Sequence, residues 1–134
     1  MARVVLDTGV LINAVRHRLD MTQLIAHDDV ALPAIVLLEY LDGIERDPDQ
    51  ERRSIQRALL DEVLTTTPVV DYTAKIAPHH VALLSHARRT CLAHGAVDLM
   101  VAATALGTDR CVLTTDAKAR FDELPGGSCR IIQP

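Results

Sequence analysis

Short aliphatic runs alternate along this chain with longer segments of helical periodicity. The runs at residues 3–6, 30–32 and 111–115 have the length of single strands, and apolar residues recur at helical spacing in the segments between them. Strands that alternate with helices favour a parallel sheet, because parallel neighbours need a crossover that is usually a helix. The sequence therefore predicts an α/β fold, a three-layer α/β/α sandwich around a central, mainly parallel sheet.

The remaining segments fit this plan. Helices are predicted over residues 9–15, 21–26, 34–45, 49–64, 73–93, 99–106 and 118–124, and further strands over 69–70 and 130–132. Pro78 lies within the predicted 73–93 helix, where it marks either a kink or a late start, and His94-Gly95 is the predicted C-terminal stop. The helix over 99–106 is apolar on every side except at Thr104, so we expect it to be buried all round.

Composition narrows the class of protein. The chain has 134 residues, of which 49% are hydrophobic, and we expect a single domain over 1–134. A net charge of −4 argues against binding a polyanion by bulk attraction, and the three aromatic residues are too few for a base-stacking platform. No apolar run reaches the length of a membrane span, and Asp7 interrupts the first run too early for a signal peptide, so a cytoplasmic location is expected.

The cysteines and histidines do not suggest a zinc site. The three cysteines are far apart and odd in number, which predicts buried free thiols in a reducing compartment: Cys91, Cys111 and Cys129. The six histidines form no recognisable ligand pattern.

Carboxylates occur at matching places in the predicted sheet. Asp7 follows the first strand and Asp116 follows the strand over 111–115, so a parallel sheet brings both to the same edge. Ligands of such sheets bind beyond the carboxyl ends of the strands, near the point where the strand order reverses. Asp98 stands at the start of the buried helix. For Asp7 and Asp98, a helix N-cap is the alternative role.

Glu39 is the only charge between Val30 and Leu41. Its helix neighbours, residues 35–38 and Leu41, are all apolar and are expected to be largely buried. An unpaired carboxylate there would cost several kcal/mol, so the sequence predicts a compensating group. That group is either an arginine in a structural ion pair or a metal ion.

Bringing these carboxylates together requires a cation. Neighbouring negative charges repel one another and raise each other's pKa values unless a positive charge lies between them. Oxygen ligands with room for water suit Mg²⁺ or Mn²⁺, which also bridge to phosphate. The sequence thus predicts a divalent metal site.

Four segments in order resemble the acidic motifs of the PIN-domain ribonucleases, in particular the VapC toxins. The segments read "VVLDTGVLINA", "LEYLDGI", "DLMVAATAL" and "VLTTDAKARF", and together they frame the chain from Arg3 to about Phe121. The stretch from Asp98 to Asp116 is the most specific of them. One departure is the "HGAV" sequence before Asp98, where many relatives have a further polar or acidic residue, and it leaves open whether one metal or two are bound.

The resemblance implies a function and a set of site residues. It implies a Mg²⁺- or Mn²⁺-dependent endoribonuclease that hydrolyses RNA phosphodiester bonds, forms a homodimer, and is the toxin of a toxin–antitoxin pair neutralised by an antitoxin protein. The catalytic and metal-binding residues would be the acidic quartet Asp7, Glu39, Asp98 and Asp116. Asp7 and Asp98 would be direct ligands, and the other two would bind directly or through water. Thr8 or Thr115 would be the neighbouring hydroxyl.

RNA also needs cations beyond the metal. The basic candidates are Arg16, Arg18, Arg88, Arg89, Lys118 and Arg120. Lys118 and Arg120 are favoured because they lie beside Asp116, and with Thr8 and Thr115 they form the predicted substrate-binding set.

Other functions remain open at this point. A catalytically idle PIN-like module that binds protein or RNA would keep the same acids. A receiver-type signalling domain also gathers aspartates around Mg²⁺, but it needs an acidic pair near the first strand end, where Asp7 has no acidic neighbour. Haloacid-dehalogenase-type phosphatases need a second aspartate where this chain has Gly9.

Overall fold

The structure is a computed structural model that describes residues 1–91, 94–127 and 129–134. In chain order its elements are β1 (Arg3–Leu6), α1 (Thr8–Val15), α2 (Met21–His27), β2 (Asp29–Pro33), α3 (Ala34–Arg46), α4 (Gln50–Thr66), β3 (Val69–Val70), α5 (Ala77–Thr90), α6 (Ala96–Gly107), β4 (Cys111–Thr114) and β5 (Cys129–Ile131). Two 3₁₀ turns, Ala117–Ala119 and Phe121–Glu123, lie between β4 and β5.

The sheet is parallel throughout, with strand order β3-β2-β1-β4-β5. Crossovers in parallel sheets are right-handed, so the connections on the two sides of β1 leave helices on opposite faces of the sheet. The predicted three-layer α/β/α class is confirmed. The order also differs from the 2-1-3-4-5 order of receiver-like folds, so that alternative is wrong.

The strand order reverses between β1 and β4. These two strands pair directly, with Leu6 opposite Leu113. Their carboxyl ends therefore meet at the topological switch point, the usual ligand position in such sheets. Asp7 is the residue that follows β1, and Asp116 lies two residues beyond β4.

The core is aliphatic and centres on β1. Val4, Val5 and Leu6 have no exposed surface, and neither do Leu32 and Leu113 on the adjacent strands. Burying each such side chain contributes about 1.5–3 kcal/mol. The rigid core fixes the strand ends from which the acids project.

Local chemistry explains where several helices begin. The side chains of Asp7, Asp20 and Asp49 accept hydrogen bonds from backbone N–H groups at the starts of α1, α2 and α4. Pro78 occupies the first turn of α5, where its missing N–H would have had no partner inside the helix.

Several predicted boundaries are wrong. The segment predicted as a 73–93 helix begins at Ala77, so the late start at Pro78 is correct, and it ends at Thr90; Ala93 lies outside the described residues. Cys91, in the left-handed conformation, closes α5, whereas Gly95 precedes α6 and is not the stop of α5. The 118–124 helix is instead the pair of 3₁₀ turns, and the last strand lies one residue earlier than predicted.

Two predicted burials are also wrong. Leu38 is 59% exposed, because α3 is covered on one side only, and the thiol-bearing Cys91 is exposed at the end of α5. Cys111 and Cys129 are half-buried free thiols. In the described ranges, no helix combines the length and apolarity needed to cross a bilayer.

Arg110 ties the amino ends of β1 and β2 together. Its Nη1 donates to the Val4 carbonyl at 3.2 Å, the Asp29 carbonyl at 2.7 Å and Asp29 Oδ1 at 3.2 Å, and its side chain is 10% exposed. We expect Arg110→Met to lower the free energy of unfolding by about 2–3 kcal/mol, since it leaves these acceptors without a donor. Denaturant unfolding measures the change.

Arg3 provides the matched control for this prediction. It also pairs with Asp29, at 3.1 Å, but its side chain is 51% exposed. Water screens such a pair, so Arg3→Met should cost less than about 1 kcal/mol. Equal losses in the two variants would contradict the role given to Arg110.

Candidate active site

Asp7 and Asp116 are linked by a hydroxyl at the switch point. Thr114, the last residue of β4, donates its Oγ1–H to Asp7 Oδ2 at 2.9 Å. Thr114 Oγ1 also accepts a hydrogen bond from the Asp116 N–H at 3.0 Å. Asp7 Oδ1 accepts from the Thr8 N–H at 2.9 Å. Asp7 is therefore both the N-cap of α1 and a member of the acidic site.

The buried position of Asp7 changes its acidity. Burial raises the pKa of Asp7 above its usual value, although the hydrogen bonds from Thr114 and Thr8 oppose this. The charges of Glu39 and Asp116 raise the pKa further. The bare Asp7 carboxylate is therefore disfavoured, and binding either a proton or a cation would stabilise it.

Glu39 reaches the site from α3. Its Oε1 accepts a hydrogen bond of 2.6 Å from Thr8 Oγ1, in the first turn of α1. Within the described part of the chain Glu39 makes no ion pair, so the predicted alternative of a structural arginine partner is wrong. The compensation that the structure shows is the Thr8 hydroxyl.

Asp98 lies in the first turn of α6 and is half-buried. The N-cap position of this helix is Gly95, so the predicted alternative of a capping role for Asp98 is wrong. Burial raises the pKa of Asp98 to about 6, and the charges of Asp7, Asp116 and Glu39 add to the effect. The four carboxylates are therefore close enough to act on one another.

Thr115 packs against α1 rather than pointing away from the site. Its Oγ1 accepts from Asn13 Nδ2 at 3.3 Å. A Cβ at Gly9 would lie 2.6 Å from this hydroxyl oxygen, so glycine permits the close approach of α1 to the end of β4. Thr8, which carries the other predicted hydroxyl, binds Asp7 through its backbone N–H and Glu39 through its hydroxyl.

Lys118 lies in the first 3₁₀ turn, two residues after Asp116, and Arg120 lies between the two turns; both residues are exposed. The Lys118 N–H donates to Asp116 Oδ1 at 2.9 Å, which fixes the turn. Among the described residues neither basic side chain has a carboxylate partner, so both are available to a polyanion.

Three site residues were missed in the sequence analysis. Thr114 and Asn13 were signalled only weakly, as polar residues in apolar surroundings that need partners. His94 joins two acid-bearing segments, since its Nδ1 lies 3.3 Å from the Ala119 carbonyl, and its charge opposes the rise in the pKa of Asp98. No sequence pattern indicated His94.

The residues present fit a hard divalent cation in their chemistry. All four side chains offer carboxylate oxygens. Burial chiefly raises the pKa values of Asp7 and Asp98, the neighbouring negative charges raise them further, and a bound cation would offset both effects. Over residues 1–91, 94–127 and 129–134, however, no group of three or more His, Cys, Asp or Glu side chains is arranged as it stands to hold a metal ion. The donor set thus supports a metal, and any coordination requires side-chain adjustment.

The pKa of Asp98 predicts how the metal-free fold responds to pH. A folded pKa of about 6 against the ordinary 3.8 means that the folded state holds a proton which the unfolded state releases. Stability should therefore fall as pH rises from about 4 to above 6. If the Asp98 carboxylate were fully shielded from water, its pKa shift would correspond to a change of about 3 kcal/mol in the free energy of unfolding. Because Asp98 is partly exposed, we expect a change of about 1–2 kcal/mol, measured by denaturant unfolding with EDTA present.

Asp98→Asn is the control for this pH dependence. The amide does not titrate, so the difference between wild type and variant isolates Asp98 from the histidines and other acids. The variant should lose most of the decrease between pH 4.5 and pH 7. An unchanged decrease would contradict the assignment to Asp98.

Comparison with known proteins gives a consistent result. The family model for the PIN domain matches residues 4–126. A curated relative, ribonuclease VapC of Rickettsia bellii, is 24% identical over 121 residues, which is 90% of each chain.

Solved structures share the fold. VapBC2 from Rickettsia felis, bound to a promoter DNA fragment, has a TM-score of 0.85 and 21% identity over 98% of this chain and 99% of that one. DNA-bound VapBC from Salmonella typhimurium has a TM-score of 0.83 and 21% identity over 98% of each chain. VapBC-5 from Mycobacterium tuberculosis, a member of the VapBC family of toxin–antitoxin systems, gives 0.77 and 24% over all of both chains. Because the family model covers nearly the whole chain, this protein belongs to the PIN-domain family.

Proposed function

We propose that this protein is a divalent-metal-dependent endoribonuclease of the VapC type, the toxin of a toxin–antitoxin pair. The observation that carries the proposal is the gathering of carboxylates at the switch point, where the Thr114 hydroxyl joins Asp7 to Asp116 and the Thr8 hydroxyl binds Glu39. Burial raises the pKa of Asp98 to about 6, and the charges of the other three acids add to this rise. Charge crowded in this way destabilises a fold, so its presence favours a functional reason. The similarity to the R. bellii ribonuclease supports the same reaction.

The proposed roles follow from the positions of the four acids. Asp7 and Asp98 would hold the cation directly, and Asp116 and Glu39 directly or through water. A bound Mg²⁺ or Mn²⁺ supplies Lewis-acid activation of water and charge neutralisation at the phosphate. Glu39, oriented by the Thr8 hydroxyl, is the group that accepts a proton from the attacking water.

The surroundings of the acids would position the RNA. Lys118 and Arg120 supply the positive charge that the acidic edge lacks, and Thr115 supplies a hydroxyl beside it. Without a cation the acids repel phosphate, so binding and chemistry share one requirement.

An antitoxin protein is the proposed regulatory partner. The M. tuberculosis relative belongs to a toxin–antitoxin family, and its chain matches this one from end to end. Formation of a homodimer and action in the cytoplasm, where RNA is present, complete the proposal. Sedimentation of the purified protein tests the dimer.

Cleavage of RNA by the purified protein tests the function. End-labelled cellular RNAs and defined oligonucleotides are incubated with the protein in Mg²⁺ or Mn²⁺, and internal cuts are mapped by sequencing the new ends. We expect cuts at a small number of sites. Expression alone should slow growth.

A lack of cleavage in either metal, together with normal growth, would overturn the proposal. RNA binding without cleavage would favour the catalytically idle PIN-like module. Cleavage that survives excess EDTA would remove the metal from the mechanism.

A further inference from the structure

A cavity leads from Glu39 along the groove between α1 and α3. Its volume is about 190 Å³. One wall carries Thr8, Ile12 and Val15 of α1, which lie on one helix face, and the opposite wall carries Glu39 and Gly43 of α3. Because Thr8 and Glu39 also belong to the acidic site, the cavity and the site share a border.

The far end of the cavity is basic. Arg16 lines it directly after the end of α1 and has no ion-pair partner in the ranges that the structure describes. From Thr8 to Arg16 the helix rises about 12 Å, so the cation lies well beyond the acids. A ligand with a phosphate on either side of a bulky group would fit this arrangement. One phosphate would lie at the proposed metal site, and the other would contact the Arg16 guanidinium.

The middle of the cavity is apolar. Ile12, a large aliphatic residue that lines it, is 40% exposed. Gln56 also lines the cavity; its Nε2 donates to Asp47, and its buried Oε1 is closed off from the cavity.

We propose that this cavity receives the base of the nucleotide next to the cleaved phosphodiester, with Arg16 contacting the following phosphate. The inference rests on the proposed nuclease function and adds a subsite to it. A base has flat apolar faces that pack on Ile12 and Val15. A lysine or arginine side chain from a protein partner would pair with Glu39 but would leave Arg16 without an anion.

Gly43 provides the test of occupancy. Gly43 lines the cavity, and a Cβ there would meet no atom within 4 Å, so we expect the leucine side chain of Gly43→Leu to occupy the cavity. The substrates are an oligonucleotide that carries the mapped cleavage site and two versions with an abasic nucleotide on either side of the cut. For wild type, one abasic version should lower kcat/KM about tenfold, as the loss of one bound base does.

The losses in kcat/KM caused by Gly43→Leu and by the missing base should not be additive in free energy. Gly43→Leu should lower kcat/KM about tenfold on intact RNA and lose no more on the sensitive abasic RNA, since both changes remove the same contact. Ala58→Leu adds a leucine to an exposed surface of α4, outside the cavity, and should match wild type. The subsite would be overturned if the losses in kcat/KM from Gly43→Leu and from the abasic nucleotide multiplied, or if Gly43→Leu cleaved intact RNA at the wild-type rate. Either result would leave the nuclease function in place.

Arg16 adds an independent measurement. Arg16→Gln should weaken RNA binding and reduce the salt dependence of log Kd by about 0.7, the value for one phosphate contact on a single strand. Arg57→Gln removes an exposed arginine from α4 and should leave the slope unchanged. An unchanged slope for Arg16→Gln would contradict the phosphate contact. If Gly43→Leu weakens inhibition by the antitoxin and leaves RNA cleavage unchanged, the cavity binds protein instead of RNA. If the wild type cuts no RNA, both the function and the subsite are overturned.

Discussion

Asp98→Asn is expected to lower the rate of RNA cleavage at least about a hundredfold and, in the absence of metal, to stabilise the fold. The loss follows from removing a proposed metal ligand, since even partners one shell further out cost 10–100-fold. The gain follows from removing a half-buried charge, because burial raises the pKa of Asp98 and the other three carboxylates raise it further. Cleavage of a defined RNA in Mn²⁺ and denaturant unfolding in EDTA measure the two effects.

The opposite signs are what make this prediction specific. A substitution that merely damaged the fold would lower activity and stability together, whereas one at a charged functional site can separate them. Excess EDTA should bring the wild type to the activity of the variant. In Mn²⁺ the wild type should gain stability that the variant does not gain, because only the wild type binds the ion tightly.

Asp109→Asn is the matched control. Asp109 is exposed at the end of α6 in the left-handed conformation, which asparagine also accepts, so it makes the same chemical change far from the site. It should change neither activity nor stability. Equal cleavage by wild type and Asp98→Asn would remove Asp98 from the mechanism, and a destabilised Asp98→Asn protein would contradict the electrostatic account.

The strand ends could be predicted because they follow from local pattern and one topological rule. Asp7 terminates an aliphatic run and Asp116 follows another, so a parallel sheet had to bring them to one edge. The strand order places that edge at the reversal between β1 and β4. Glu39 was conspicuous for a different reason, as a lone charge in an apolar helix, although the exposed Leu38 shows that this helix is less buried than its composition suggests.

The supporting residues could not be predicted because their roles depend on neighbours far along the chain. Thr114 acts on Asp7, which is 107 positions away, and Asn13 acts on Thr115, 102 positions away. His94 bonds to a carbonyl on a turn that the sequence predicted as helix. Periodicity reports which face of an element is apolar, but it does not report which polar atoms meet across elements.

Helix ends were the other source of error, and the reason is again physical. A glycine is compatible with both a C-terminal stop and an N-terminal start, so the pattern at His94-Gly95 was ambiguous. The structure resolves it by placing the left-handed residue at Cys91 instead. This moves Gly95 to the start of α6, three residues before Asp98, and frees that carboxylate from capping.

Thr114→Val is expected to reduce cleavage 10–100-fold although Thr114 does not reach the substrate. The buried hydroxyl donates to Asp7 at 2.9 Å and accepts from the Asp116 N–H at 3.0 Å, so it sets the spacing of two acids at the switch point. Valine has a similar shape but leaves both partners unbonded, which should also cost about 1–3 kcal/mol of stability. Single-turnover cleavage and denaturant unfolding measure the two losses.

Two further variants separate positioning from general stability. Thr114→Ser restores the hydroxyl and should recover most of the activity. Thr104→Val removes another buried threonine hydroxyl, whose one partner among the residues that the structure describes is the Met100 carbonyl within α6, so it should leave kcat intact. If Thr104→Val lowers kcat as much as Thr114→Val, or if serine at position 114 restores stability without restoring cleavage, then the hydroxyl supports the fold and does not position Asp7 and Asp116 for the reaction.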